Sequence, residues 1–179
     1  MEKRQLESLL EPAAYDEATS TVQLRQTHVS FLFFTDSHVY KIKKEVDFGF
    51  LNFMSLDRRR FYCEEEVRLN RRLCPDLYLG VVEVRESAGK LSFSGPGRVV
   101  EYAVKMQRLP GERMLDRLLE QGLVTDDDVR RIARAIGEFH LLAAGRSREI
   151  DAYGDMDVIR RNWEENFLQV EEFIPLCLD

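Results

Sequence analysis

The feature that most constrains this chain is a change of periodicity near residue 110. From about residue 20 to residue 109, outside the stretch 55–74, the apolar residues fall in short runs rich in Val, Phe, Leu and Tyr, parted by turn signals; beyond residue 110 they recur every three to four residues. "TVQLRQTHVSFLFFTDSHVYKIKKEV" reads as two or three strands of a meander, with Thr35-Asp36-Ser37 as a tight turn. "SLDRRRFYCEEEVRLNRRLC" then reads as a helix that starts at Ser55 or Asp57, has apolar positions at Tyr62, Leu69 and Leu73, and ends before Pro75. Three more antiparallel strands follow in "LYLGVVEVRES", "KLSFS" and "VVEYAVKMQRL", with turns at Ala88-Gly89 and in "GPGR". A short amphipathic helix with Leu6, Leu9 and Leu10 precedes all of this and stops at Pro12.

After the last strand the chain reads as helix throughout. "GERMLDRLLEQGLV" is one helix, and Thr125 caps "TDDDVRRIARAIGEFHLLAAG", whose first turn carries three aspartates. "DMDVIRRNWEENFLQVEEFI" places Ile159, Trp163, Phe167 and Val170 on one face. The order β-β-β-α-β-β-β followed by α predicts an α+β chain with a sheet-rich first lobe and a helical second one. His140, Trp163 and Phe167 read as packing residues of that second lobe.

Composition narrows the partners. At 179 residues the chain is one ordinary domain or two small lobes, enough to bury about 70% of its unfolded surface. Hydrophobic residues make up 44% and charged ones 32%, a globular profile. The net charge is −6 and the basic residues are scattered among acids, which argues against nucleic acid as a partner. The charged N-terminus has no apolar h-region and no run approaches the ~18 apolar residues of a membrane span, so no membrane partner and a cytoplasmic location are expected. Cys63, Cys74 and Cys177 lack CxxC spacing or a nearby histidine pair, and are expected to be reduced, partly buried thiols and not a zinc site.

The chemistry starts in "HVYKIKK", residues 38–44, where lysines stand in an otherwise apolar strand. Alternation puts Val39, Lys41 and Lys43 on one face and Tyr40 and Ile42 on the other. A small aliphatic residue two positions before a lysine suits a nucleotide, with the ring against Val39 and the phosphates at Lys41. The same lysines would also serve to protect an edge strand from aggregation. A phosphate-binding lysine needs a carboxylate to hold it, and helical phase makes Glu66 the inward acid beside Leu69 and Leu73, with Glu65 as the alternative.

Strand lysine, helix glutamate and a last strand ending in "MQRLPG" resemble the small lobe and hinge of the protein-kinase-like fold, in its aminoglycoside phosphotransferase branch. The blocks "HVYKIKKEVDFGFLNF" and "RRRFYCEEEVRLNRRLCPDLYLGVV" are similar to a bacterial subgroup of predicted kinases, in which this domain is often followed by a P-loop kinase domain. The resemblance implies a small lobe over residues 1–106, a hinge at 107–111 and an incomplete helical lobe at 112–179. It implies ATP as the ligand, with Lys41 on the α- and β-phosphates and Glu66 as its ion-pair partner. Met106 then backs the adenine pocket, and the Gln107 carbonyl and Leu109 N–H bind the adenine edge. The implied activity is transfer of phosphate from ATP to a hydroxyl-bearing acceptor whose identity the residues do not specify.

Two departures shape the expectation. The turn between the first strands, "RQTHVS", holds no glycine, so Thr27, His28 and Ser30 would cover the phosphates with side-chain donors. No His-Gly-Asp loop with a following Asn is present; "GDMDVIRRN" imitates it, but the apolar stripe from Val158 to Val170 places Asn162 in a helix. The Mg²⁺ ligands are therefore expected beyond this chain, which by itself is expected to be inactive and to self-associate through exposed second-lobe surface. The other function these residues allow is a non-catalytic nucleotide-binding or interaction module with a kinase-like fold.

Overall fold

The computed structural model describes residues 3–143, 145 and 147–171, so the Cys177 expectation lies outside the described residues. The chain divides into two compact units, Met1–Leu123 and Val124–Asp179, so residues 112–123, expected in the helical lobe, group with the sheet.

In the first unit the expected α+β order is the one observed. Strands β1 (Gln23–Gln26), β2 (Ser30–Phe34), β3 (His38–Lys43), β4 (Tyr78–Ser87), β5 (Lys90–Ser92) and β6 (Arg98–Gln107) form one curled antiparallel sheet in the order β1-β2-β3-β6-β4-β5. Successive side chains of a strand alternate between faces, and each face has its own cover. Tyr40 and Ile42 of β3 join Phe33, Val84, Leu91 and Ala103 in a core closed by Leu9, Ala14 and Tyr15 of the N-terminal segment. That segment, which includes helix α1 (Lys3–Ser8), is tied down by polar bonds as well. The Ser8 Oγ accepts from the Leu91 N–H (2.8 Å), and the Tyr15 hydroxyl donates to the Leu9 carbonyl (2.7 Å). The β4–β5 turn is built at Ala88 (φ +52°) and Gly89 (φ +76°), the doubly positive pattern that matches strand twist.

Helix α2 (Leu56–Asn70) covers the opposite face, and Ser55 caps it by accepting from the Arg58 N–H (3.3 Å). Cys63 and Val67 pack on Val104, with Tyr78, Val81, Tyr102 and Met106 around them. The expected apolar stripe is corrected here. Tyr62, Leu69 and Leu73 are 37%, 46% and 52% exposed, while Arg59, Cys63 and Val67, each four residues apart, are the buried ones. Small Cys and Val side chains let the helix approach the sheet closely, and Arg59 fixes its rotation by pairing with Glu101 of β6 (2.7 Å). The cysteines divide: burial pushes the Cys63 thiol up to about 12, whereas Cys74 is exposed, not partly buried.

Past β6 the expected single helix of "GERMLDRLLEQGLV" is two pieces. A turn of tight helix spans Gly111–Arg113, and extended Met114 (ψ 140°) separates it from α3 (Leu115–Glu120). The second unit holds α4 (Asp126–Ala143), α5 (Arg148–Tyr153) and α6 (Met156–Glu171). Thr125 caps α4 reciprocally: its Oγ accepts from the Asp128 N–H (3.2 Å), and Asp128 Oδ2 accepts from the Thr125 N–H (2.9 Å). Helix α5, absent from the sequence reading, starts where the Ser147 hydroxyl accepts from the Ile150 N–H (3.1 Å). The expectation that His140, Trp163 and Phe167 pack in a core is corrected. All three are exposed, and no described side chain of α4–α6 is buried; Trp163 and Phe167 meet edge to face at 5.1 Å on the surface. Among the described residues no helix is long and apolar enough to cross a membrane.

Candidate functional site

The site follows from strand register. Val39 stands opposite Phe34 and Met106, Lys41 opposite Leu32 and Val104, and Lys43 opposite Ser30. Directly paired residues share a face, so the α2-covered face grades from an apolar end at Phe34, Val39 and Met106 to a cationic end at Lys41 and Lys43. Helix α2 delivers one acid to that cationic end. Lys41 Nζ donates to Glu66 Oε1 at 2.8 Å, and Lys43 Nζ donates to Glu66 Oε2 at 2.7 Å.

Glu65 and Glu64 are engaged elsewhere, Glu65 by Arg68 and Glu64 by Arg60. The acid that reaches Lys41 is thus Glu66, although the leucines expected beside it are exposed. Burial acts to raise the Glu66 carboxyl, but the hydrogen bonds from Lys41 and Lys43 prevail and hold it below its ordinary value. Lys43 is the deeper lysine, 7% exposed against 27% for Lys41, and its ammonium lies 5.0 Å from the centre of the Phe53 ring.

At the apolar end a cleft of ≈ 400 Å³ is lined by Leu32, Phe34, Val39, Met106, Leu109 and Met114, with Gln107 at its edge. Its size falls in the range of small-molecule sites. The segment beside it is pinned on both sides. Gln107 N–H donates to the Leu77 carbonyl (2.9 Å) and Arg108 N–H to the Ser37 carbonyl (2.9 Å), while the Arg108 guanidinium donates to the Thr35 carbonyl (2.5 Å). Val39 and Lys41 are two residues apart on one strand face, so cleft and lysine are about 7 Å apart along the strand.

No protein-family model matches the chain, and no solved structure matches it. Three proteins similar to the chain are mycobacterial. The chain is 28% identical over 149 residues to an uncharacterized protein of Mycobacterium bovis and, to the same extent, to uncharacterized proteins of two Mycobacterium tuberculosis strains. Each match covers 83% of this chain and 28% of the relative, so the chain spans less than a third of the length of these relatives.

The residues expected over the phosphates divide. Thr27 and His28 sit exposed at the β1–β2 turn, and the Thr27 hydroxyl closes that turn by accepting from the Ser30 N–H (3.0 Å). Ser30 is fully buried, in register with Lys43, and its side chain is not at the surface where a ligand would lie. Asp157 and Asn162 both lie within α6, and among the described residues no group of His, Cys, Asp or Glu could hold a metal ion.

Two features were missed in the sequence. Lys43 shares Glu66, which period-2 alternation could have suggested, since Lys43 was already placed on the Lys41 face. Arg59 supports the site through Glu101, and no local pattern marks an arginine that will pair 42 residues away.

Proposed function

We propose that residues 1–123 form the nucleotide-binding lobe of a kinase-like, ATP-dependent phosphotransferase that phosphorylates a hydroxyl of a small-molecule acceptor. The observation that carries this is one strand face on which Val39 lines a cleft and Lys41, two residues on, is held by a helix glutamate at 2.8 Å. A three-strand meander, a helix and three more strands, the order the kinase resemblance implies, support the same reading.

In this reading the adenine ring occupies the cleft between Val39, Leu32 and Met106, and the Gln107 carbonyl and Leu109 N–H bind its edge. Lys41 binds the α- and β-phosphates, and Glu66 orients Lys41. ATP fits the residues present, because the cleft is apolar and one carboxylate between two ammonium groups leaves a net positive charge beside it. Mg²⁺ does not fit the described residues, so no step here is assigned to it. No described residue is assigned as its ligand or as a group that orients the acceptor. In this reading the residues named here contribute binding and orientation of the nucleotide.

Calorimetric titration of ATP into the wild-type chain and into Lys41→Ala tests the reading. The substitution is expected to weaken ATP binding by about tenfold or more, the worth of a hydrogen bond to a charged group. Equal affinities would remove Lys41 from the site and the reading with it.

A further inference from the structure

A strand lysine needs one carboxylate to hold it, yet Glu66 holds two lysines, one on each oxygen (2.8 and 2.7 Å). We propose that Lys43 is a positioning residue of the nucleotide site: it neutralises Glu66 from the buried side and leaves the charge of Lys41 over for a polyphosphate. The inference rests on the reading of Lys41 as the phosphate ligand.

The two lysines are not equivalent. Along β3 the order from the cleft is Val39, Lys41, Lys43, and exposure falls from 27% at Lys41 to 7% at Lys43. Lys43 is also seated against the Phe53 ring, 5.0 Å from its centre, whereas Lys41 is the lysine next to cleft-lining Val39 on the shared strand face. The other nearby acids are engaged: Glu64 by Arg60, Glu65 by Arg68 and Glu101 by Arg59. Lys41, Lys43 and Glu66 thus form a unit with one surplus positive charge, and its least buried member is Lys41.

The consequence is electrostatic. A single lysine paired with a single glutamate is neutral overall, and an incoming polyphosphate must compete with the carboxylate for the ammonium. With Lys43 in place the carboxylate stays satisfied while Lys41 turns to phosphate, so Glu66 keeps its position and is never left as an unpaired buried charge. Lys43 acts through Glu66 and does not touch the ligand.

Titration of the full chain with ATP and, separately, with adenosine tests this. Lys43→Met is expected to weaken ATP by about tenfold or more and to leave adenosine affinity unchanged. In a Glu66→Gln background no acid remains to be neutralised, so adding Lys43→Met is expected to change ATP affinity by less than about twofold. Lys43→Arg should bind ATP as the wild type does. Wild-type ATP affinity in Lys43→Met, or parallel loss of ATP and adenosine, overturns the proposal. So does a loss of ATP affinity of about tenfold or more on adding Lys43→Met to Glu66→Gln, a result read against Glu66→Gln alone and so available even if Lys43→Met by itself fails to fold. If Lys41→Ala binds ATP normally, the nucleotide reading itself has failed; if Lys41→Ala loses ATP and Lys43→Met does not, the role of Lys43 alone has failed.

Discussion

Arg59 of α2 and Glu101 of β6 form a buried ion pair, Nε to Oε2 at 2.7 Å, with the two side chains 8% and 7% exposed. The guanidinium also donates to the Phe53 and Met54 carbonyls (2.8 and 3.0 Å), and Glu101 Oε1 accepts from the Tyr102 N–H (3.0 Å). One arginine therefore joins the helix that carries Glu66, the loop that carries Phe53 and the strand that faces Lys41.

Removing Arg59 should be costly because it strands a buried carboxylate. Burial already raises the Glu101 carboxyl despite its partners. Arg59→Met is expected to lower unfolding free energy by about 3–5 kcal/mol, and Arg59→Met combined with Glu101→Leu to recover most of it, since an apolar pair leaves no uncompensated charge. Urea denaturation of both variants measures this, and a loss below about 1 kcal/mol, the range of surface pairs, would mean the pair does not anchor α2.

The Glu66 pair should appear in the acid limb of stability. Its folded pKa lies below the unfolded value, so its contribution is complete above about 4.5 and is lost as pH falls through the folded pKa. Glu17 behaves likewise, because hydrogen bonds from His38, Thr35 and Tyr40 outweigh its desolvation, whereas Glu101, raised by burial, has the opposite sign. Those two are common to wild type and Glu66→Gln, so the difference between the proteins isolates Glu66. Glu66→Gln is expected to be less stable than wild type at neutral pH, and the two denaturation midpoints to converge as pH falls below about 4.5. A constant gap across the acid range would show that Glu66 is not held as a carboxylate.

Val39 belongs to both core and cleft, at 6% exposure. Val39→Ala removes two methyl groups and should cost about 1–2 kcal/mol of stability. It should also reduce the thermal stabilisation produced by saturating ATP. A ligand-induced melting shift equal to that of the wild type would place the base elsewhere.

The N-terminal segment is part of the sheet's core and not a tail. Leu9 is fully buried among Tyr15, Phe33 and Tyr40. Leu9→Ala is expected to cost about 2–5 kcal/mol by equilibrium denaturation, and a cost near zero would show that the segment does not cover the sheet.

Much of the first unit was legible because its signals are local. Period-2 runs and turn residues place β1 to β6, and the "Ala-Gly" turn at 88–89 follows from positive φ at both positions. Alternation in β3 by itself puts Val39, Lys41 and Lys43 on one face. Failures came where geometry at a distance decides. The leucines of α2 suggest one phase, yet Cys63 and Val67 face the sheet, because close packing against Val104 outweighs hydrophobicity summed around a helix. Trp163 and Phe167 looked like core from their spacing, but an apolar stripe becomes core when another element covers it, and they are exposed.

The sequence by itself determined the order of elements, the shared face of Val39, Lys41 and Lys43, and the presence of an acid-bearing helix after them, since backbone periodicity and turn chemistry act over a few residues. Tertiary structure alone decided that Glu66 takes both lysines, that Ser30 is sealed beneath the sheet's cover, and that Arg59 locks the helix through Glu101. Those outcomes depend on how closely a helix can approach a curled sheet, and that distance is set by side chains far apart in the chain.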